Sequence, residues 1–201
     1  MGDRGYEAGT GRGATTGAGT IVCDGIRIDS PEAVVKHMEK VLFPEIERRR
    51  IGLETEAGVR VRQLVAGETA VQHLFGMNML KGPYGGFYSF PGLAYGLYGY
   101  ADYLMAYALY PDVMERCFKL QADYGAAHNR IAARAIVEGG LPRLLRLDHD
   151  MADSRGTLVD IRSLDRIWFP HFARAIEPLL DAGIRLIWHC DGNLMEMVPR
   201  L

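Results

Sequence analysis

The sequence predicts an α/β fold assembled from strand–helix repeats. The first reason is the order of patterns from Pro142 to the end of the chain: a short apolar run, a polar loop, an amphipathic stretch, a second apolar run and a second polar loop. That βαβα order makes a parallel sheet with right-handed crossovers. The second reason is where the chemistry falls. Both apolar runs end in clusters of acids and histidine, Asp148-His149-Asp150 and His189-Cys190-Asp191-Gly192-Asn193. The carboxyl ends of parallel strands are where barrels and open sheets alike bind ligands. The third is composition. With 48% hydrophobic and 24% charged residues over 201 positions, the chain can bury a core and suits one domain, or one and a half.

Residues 1–20 hold seven glycines, and GRGATTGAG superficially resembles a phosphate loop. It lacks the Gly-Lys-Ser/Thr ending and the helix that should come after it, so the expectation is a flexible start and a domain over 21–201, clearest over 81–201. Ser30-Pro31-Glu32 predicts a helix start: the hydroxyl caps free amides, proline occupies the first position at no cost, and the carboxylate favours the positive end. Val34, Val35, Met38, Val41 and Leu42 continue the helix, and Pro44 is expected to kink or break it. Arg48-Arg49-Arg50 then reads as a solvated face. Residues 51–91 read as short β-like runs and turns. Within them, Gly82–Gly92 (GPYGGFYSFPG) is dense in glycine and aromatic rings. It is either a loop that lets a flat ligand approach the backbone or an irregular connection whose rings enter the core.

From Pro111, the spacing of Val113, Cys117, Leu120, Tyr124, Ala127, Ile131 and Arg134/Ala135 lays one apolar stripe along a helix that Gly139-Gly140 ends. Cys117 lies in the stripe and reads as a core residue. The strand Pro142–Leu147 comes next, then the loop 151–156, then a helix capped by Ser163 and interrupted by Pro170 and Pro178. Ile184–Trp188 is the second strand, and Leu194 onward predicts another helix.

Lys plus Arg number 23 and Asp plus Glu 25, a net charge of −2, with no long basic run, which disfavours a nucleic-acid scaffold. The three cysteines are scattered and form no CxxC, which excludes a disulfide framework and a four-thiolate zinc site and points to a reducing, cytoplasmic setting. No secretory signal is visible. The most apolar stretch, Gly92–Tyr110, is interrupted by Asp102 and by glycines, so no membrane span or membrane partner is expected.

Residues two apart in a strand point the same way, so Asp148 and Asp150 form one pair and His189 and Asp191 another. Carboxylates and an imidazole converging on one rim either bind a divalent metal or pass protons, the acids driving each other's pKa apart. The plainer alternative is turn closure and helix capping. Arg155, beside Asp153, is placed to clamp a substrate carboxylate through a two-pronged contact. By alternation His149 faces away. His37, His73 and His128 are isolated and read as structural or surface residues.

The stretch from about Gly82 to Leu201 resembles the uroporphyrinogen decarboxylase superfamily, which includes corrinoid-dependent methyltransferases. The matching pieces are GPYGGF, YGYADYLMAYALYPDVMERCFKLQADY, LDHDMADSRGTLVDIRSLDRIWFPHFARAIEPLLDAG and IRLIWHCDGN, in that order. The resemblance implies a (β/α)₈ barrel with its site at the carboxyl rim, and tetrapyrrole chemistry. One form is metal-assisted methyl transfer between a corrinoid carrier and a thiol or similar acceptor. The other is cofactor-free decarboxylation of a porphyrinogen. The candidate reaction residues are His189, Asp191, Asp148 and Asp150, and the candidate substrate residues are Tyr84, Gly85 and Arg155. In the methyltransferases a His-x-Cys pair and a later Cys hold zinc. Here His189 matches the histidine, Asp191 stands where the first thiolate is expected, and Cys190 is offset by one, giving His189, Asp191 and Cys190 as metal ligands. The later cysteine has no counterpart, nor has the N-terminal arginine-rich motif of the true decarboxylases. A full barrel takes about 250 residues, and only three or four strand–helix units can be placed. The expectation is therefore part of a barrel: a fragment of a longer enzyme, or a half that pairs with another copy. A non-catalytic module that contacts a corrinoid protein is the remaining alternative.

Overall fold

The structure is a computed structural model that describes residues 5–6, 20–76 and 78–201. The glycine-rich start read over residues 1–20 lies outside the described residues, apart from Gly5–Tyr6 and residue 20. Gly5–Tyr6 (β1), Ile21–Cys23 (β2) and Ile26–Ile28 (β3) form a small antiparallel sheet in that order. Asp24 and Gly25, at φ +49° and +76°, make the two-residue turn between β2 and β3, the left-handed conformation that tight hairpins require.

Ser30 caps α1 (Pro31–His37) as expected, its Oγ accepting from the Ala33 N–H at 3.2 Å. Pro44 does not break the helical path. A π-helical turn, Met38–Leu42, leads directly into α2 (Phe43–Phe75), and the Phe43 N–H donates five residues back, to the Met38 carbonyl. The wider turn takes up the bond that proline cannot make and relieves the clash its ring would cause. The β-like runs expected from residue 51 are absent: residues 51–75 belong to α2. Leu53, Ala57, Val61, Leu64 and Glu68 recur at helical spacing on its packed side, and Arg50–Glu54 and Glu56–Arg60 pair one turn apart on its wet side. Periodicity outweighs the β-branched content of that window.

Gly92–Tyr110 folds as two short helices, α3 (Tyr95–Tyr98) and α4 (Tyr100–Leu109). Among the described residues, no helix is long and apolar enough to cross a membrane. The predicted long helix is present as α5 (Pro111–Glu138), 28 residues, about 42 Å long. It packs against α2 on one side and, on another, against the later helix that connects the two parallel strands. Its buried surface is wider than the predicted stripe: Met114, Phe118, Ala122, Gly125, Asn129, Ala132 and Ile136 join Cys117 and Ile131.

The predicted βαβ unit is present. β4 (Leu144–Asp148) is succeeded by α6 (Ile161–Ile167), α7 (Phe169–Asp181) and β5 (Arg185–His189), and β4 and β5 pair in parallel from Leu144↔Arg185 to Asp148↔His189. The cap of α6 is Asp160, not Ser163: the Asp160 carboxylate accepts from the Ser163 N–H at 3.1 Å. Pro170 begins α7, and Pro178 lies inside it without ending it. After Leu194 the chain makes turns and a short 3₁₀ segment, Val198–Arg200, in place of the expected helix.

The architecture is therefore mixed helix and sheet. Among the described residues the parallel sheet has two strands and does not close into a barrel. The three or four strand–helix units reduce to this one parallel pair, because residues 21–28 form an antiparallel hairpin and residues 43–75 a helix. Leu145, Leu147, Leu186 and Trp188 turn inward onto the core, while Leu144, Arg146, Asp148, Arg185, Ile187 and His189 lie on the opposite face.

The segment Gly82–Gly92 is an irregular connection that sends rings into the core. Phe87 is buried and Phe90 packs on Phe172 and Trp188, whereas Tyr84 stays outside. Asn129, fully buried on α5, pins the segment: it accepts from the Ser89 N–H at 2.9 Å and donates to the Ser89 and Ala175 carbonyls at 2.8 and 2.7 Å. One turn earlier, a Cβ on Gly125 would stand 2.8 Å from the Ser89 carbonyl oxygen, so only glycine allows this approach.

Candidate functional site

The parallel register sets Asp148 directly opposite His189 at the carboxyl end of the sheet, both on the uncovered face. His189 Nδ1 lies 3.1 Å from Asp148 Oδ1. Asp148 has two further donors: Tyr84 OH at 2.5 Å on Oδ2 and Arg146 Nε at 2.7 Å on Oδ1. The hydroxyl of Tyr84, then the guanidinium of Arg146 and the neighbouring imidazole, hold the Asp148 carboxyl below the usual carboxylate range. The same bond pushes the Tyr84 phenol up to about 12, so it stays protonated and keeps donating.

Two more acids complete the rim. Asp150 comes after β4 and accepts the Asp191 N–H on Oδ1 at 2.9 Å, which ties the loop after β4 to the loop after β5. Gly192 makes that junction possible. At φ +102° its Cβ position lies 2.7 Å from the Asp153 carbonyl oxygen, and the Asn193 N–H donates to that same oxygen at 2.7 Å.

Asp150, His189 and Asp191 each present one ligand atom, all within 4.8 Å of one another, and all three side chains are exposed. His189 Nε2 is 3.9 Å from Asp191 Oδ1. Since Nδ1 is turned to Asp148, Nε2 is the nitrogen left for a ligand. Cation–ligand bonds of about 2.1 Å place neighbouring ligand atoms roughly 3.4 Å apart, closer than the 4.8 Å limit within which these atoms lie. One imidazole and two carboxylates form a donor set that suits a borderline divalent cation, and a carboxylate on the far nitrogen of a ligating histidine is the usual supporting arrangement.

Cys190 does not join this group. Strand alternation continues without a bulge and turns the side chain inward. Its sulfur accepts the Met151 N–H at 3.1 Å and donates to the Asp191 carbonyl at 3.1 Å, and burial pushes the thiol up. It closes the turn beneath the rim and offers no thiolate to His189.

The other residues singled out by sequence divide in the same way. Tyr84 reaches the site as a partner of Asp148, and Gly85, at φ +54°, allows the chain reversal beside it. Arg155 stays in its own loop, where it bonds the Asp153 carboxylate through its backbone N–H at 2.7 Å and its Nη2 at 3.0 Å. It lines a separate hollow of about 790 Å³ with Tyr100, Leu104 and Glu196. His149 faces away, as alternation requires. Its Nε2 accepts the Leu93 N–H at 2.7 Å, and burial lowers its pKa, keeping it neutral for that role. His37 is enclosed between Tyr98 OH at 2.8 Å and Asp24 at 3.0 Å, and His128 bonds the Gly86 carbonyl at 2.8 Å. Cys117 is a core residue, its thiol raised to about 12 by burial.

Two site residues escaped the sequence reading. Arg146 lies two positions before Asp148, so alternation alone places it on the same face. Tyr95 donates to the Asp150 carbonyl at 2.7 Å and stacks on Tyr100 at 4.5 Å. The link from Tyr95 spans 55 residues, and no local pattern announces it. No protein-family model matches the chain, and no curated protein or solved structure matches it either.

Proposed function

We propose that the rim of β4 and β5 is the reaction centre of an enzyme similar to the uroporphyrinogen decarboxylase superfamily, and that it holds a divalent cation through His189 Nε2, Asp150 and Asp191. The observation that carries this reading is the Asp148–His189 pair. It fixes one ring nitrogen and leaves the other beside two exposed carboxylates. The barrel that the resemblance implies fits the uncovered face of the sheet, since parallel strands are ordinarily covered on both sides.

The reaction proposed is methyl transfer from a corrinoid carrier to a thiol. A cation held by His189, Asp150 and Asp191, zinc in the superfamily's methyltransferases, would lower the pKa of the acceptor thiol and so supply a thiolate nucleophile. The thiol proton would leave to water at the open mouth, and the carbon–sulfur bond would form as the methyl group departs its carrier, the electron pair remaining with the carrier. Asp148 keeps His189 in one ring orientation throughout. Asp150 joins the two loops so that the ligand atoms stay together. The Asp191 carboxylate, 86% exposed, closes toward the imidazole.

The test is metal content. Purified protein titrated with zinc is expected to bind one equivalent through this site, and His189→Ala is expected to abolish that binding. Equal binding by His189→Ala overturns the proposal. The short Tyr84–Asp148 bond favours a second reading, in which a neutral phenol and a carboxylate pass a proton during metal-free decarboxylation of a porphyrinogen. Carbon dioxide release that survives a chelator decides for that reading.

A further inference from the structure

We infer that Tyr84 and Arg146 are positioning residues for His189: they lock the Asp148 carboxylate so that the imidazole keeps Nδ1–H toward Asp148 and presents Nε2 to the rim. This rests on the reading of the rim as a cation site.

Two hydrogen-bond donors and the His189 imidazole, from three places in the chain, meet on one carboxylate. Tyr84 OH takes Oδ2 at 2.5 Å; Arg146 Nε and His189 Nδ1 share Oδ1 at 2.7 and 3.1 Å. A carboxylate bonded on both oxygens cannot turn about its terminal torsion without breaking a charge-assisted bond. Oδ1 therefore stays aimed at the ring. Because Asp148 only accepts, Nδ1 is the nitrogen that carries a proton toward it, and in the neutral ring the lone pair then lies on Nε2.

Neither Tyr84 nor Arg146 is placed by core packing. Tyr84 is 54% exposed, its ring lies tilted at 6.3 Å from that of Tyr88, and its polar end is fixed on Asp148. The backbone around it is shaped to deliver that end. A Cβ on Gly82 would stand 2.9 Å from the Leu144 carbonyl oxygen, which presses the segment against β4. Gly85 and Gly86, at φ +54° and +42°, turn the chain away again. Arg146 lies on the uncovered face opposite Ile187 in the strand register and bends along its own strand to reach Asp148.

The test uses Tyr84→Phe, Arg146→Gln and Arg146→Lys in the full chain, with zinc titration of metal-free protein and ¹⁵N spectra of the His189 ring at one pH. Supporting partners of a ligating histidine ordinarily matter about 10- to 100-fold in metal affinity. Tyr84→Phe and Arg146→Gln are each expected to weaken zinc binding toward the lower end of that range. The ring should change from a single Nδ1–H tautomer to a mixture, and the thermal midpoint should stay within a few degrees of wild type. Arg146→Lys, which keeps a donor, should recover part of the loss. Wild-type affinity together with an unchanged tautomer in both variants overturns the inference while the cation site stands. If the wild type binds no zinc, the cation site fails, and the tautomer alone then decides whether these residues position the ring.

Discussion

Asp148 and His189 stand side by side on adjacent parallel strands, Oδ1 and Nδ1 3.1 Å apart, with the other ring nitrogen turned toward Asp150 and Asp191. Replacing the carboxylate by an amide tests the consequence. Asp148→Asn can offer an N–H to Nδ1, which favours the opposite tautomer. The expected outcome is zinc affinity reduced by about 10- to 100-fold with the fold retained, checked by titration calorimetry and circular dichroism.

The same carboxylate predicts the acid limb of stability. Its folded pKa lies below the ordinary 3.8, chiefly through the bond from Tyr84. The stabilisation is therefore complete above 3.8 and is lost as pH falls through the depressed folded value. Asp153 and Asp165 are lowered as well, by Arg155 and Arg200. Urea midpoints should fall more steeply below pH 4 in wild type than in Asp148→Asn. Parallel acid limbs in the two proteins contradict this.

Asn129 is the buried polar anchor of the 82–93 segment. Asn129→Ala removes the amide's bonds to the Ser89 N–H and to the Ser89 and Ala175 carbonyls, at a cost of about 1–3 kcal/mol for each group left unsatisfied. A loss of about 3 kcal/mol in urea unfolding is expected; a loss below about 1 kcal/mol would show that water replaces the amide.

Glu68 on α2 is 5% exposed and takes Lys81 Nζ at 2.6 and 2.7 Å, with Gln72 Nε2 at 2.9 Å. Lys81→Met strands a buried carboxylate and should destabilise by about 3–5 kcal/mol. Glu68→Leu combined with Lys81→Met should recover most of that loss. A double variant no better than Lys81→Met alone would refute the pairing argument.

Gly192 lets the two rim loops touch. Gly192→Ala must move the Asp153 carbonyl or leave φ +102°, at a cost of about 1–3 kcal/mol. Zinc affinity should fall with it, because Asp191 is the preceding residue. Unchanged stability would mean that the loops separate freely.

Much of this was legible in the sequence because it depends on short-range periodicity. The 3- and 4-residue spacing from Val113 to Ala135 specifies α5, and the strand alternation of Asp148 and Asp150, and of His189 and Asp191, specifies which side chains share a rim. Alternation also explains why His149 and Cys190 face the other way, although the offset thiol beside His189 invited a ligand assignment. The errors came where a local signal met a wider context. Pro44 reads as a breaker until a π turn precedes it. The valines after residue 51 read as strand until the spacing of Leu53, Val61 and Leu64 is counted. Tyr84, Tyr95 and Arg155 could not be sorted locally, since only the fold decides which loop reaches Asp148.

The long helix α5 enters both apolar clusters. Met114, Cys117 and Phe118 belong to one, and Ala127, Ile131 and Ile136 to the other. Neither cluster can come apart without fraying that rod at its middle, so the two halves of the molecule are bound to lose structure together. Denaturation monitored by the tryptophans, which both lie on the first cluster's side, should therefore coincide with the loss of helical signal from the whole chain.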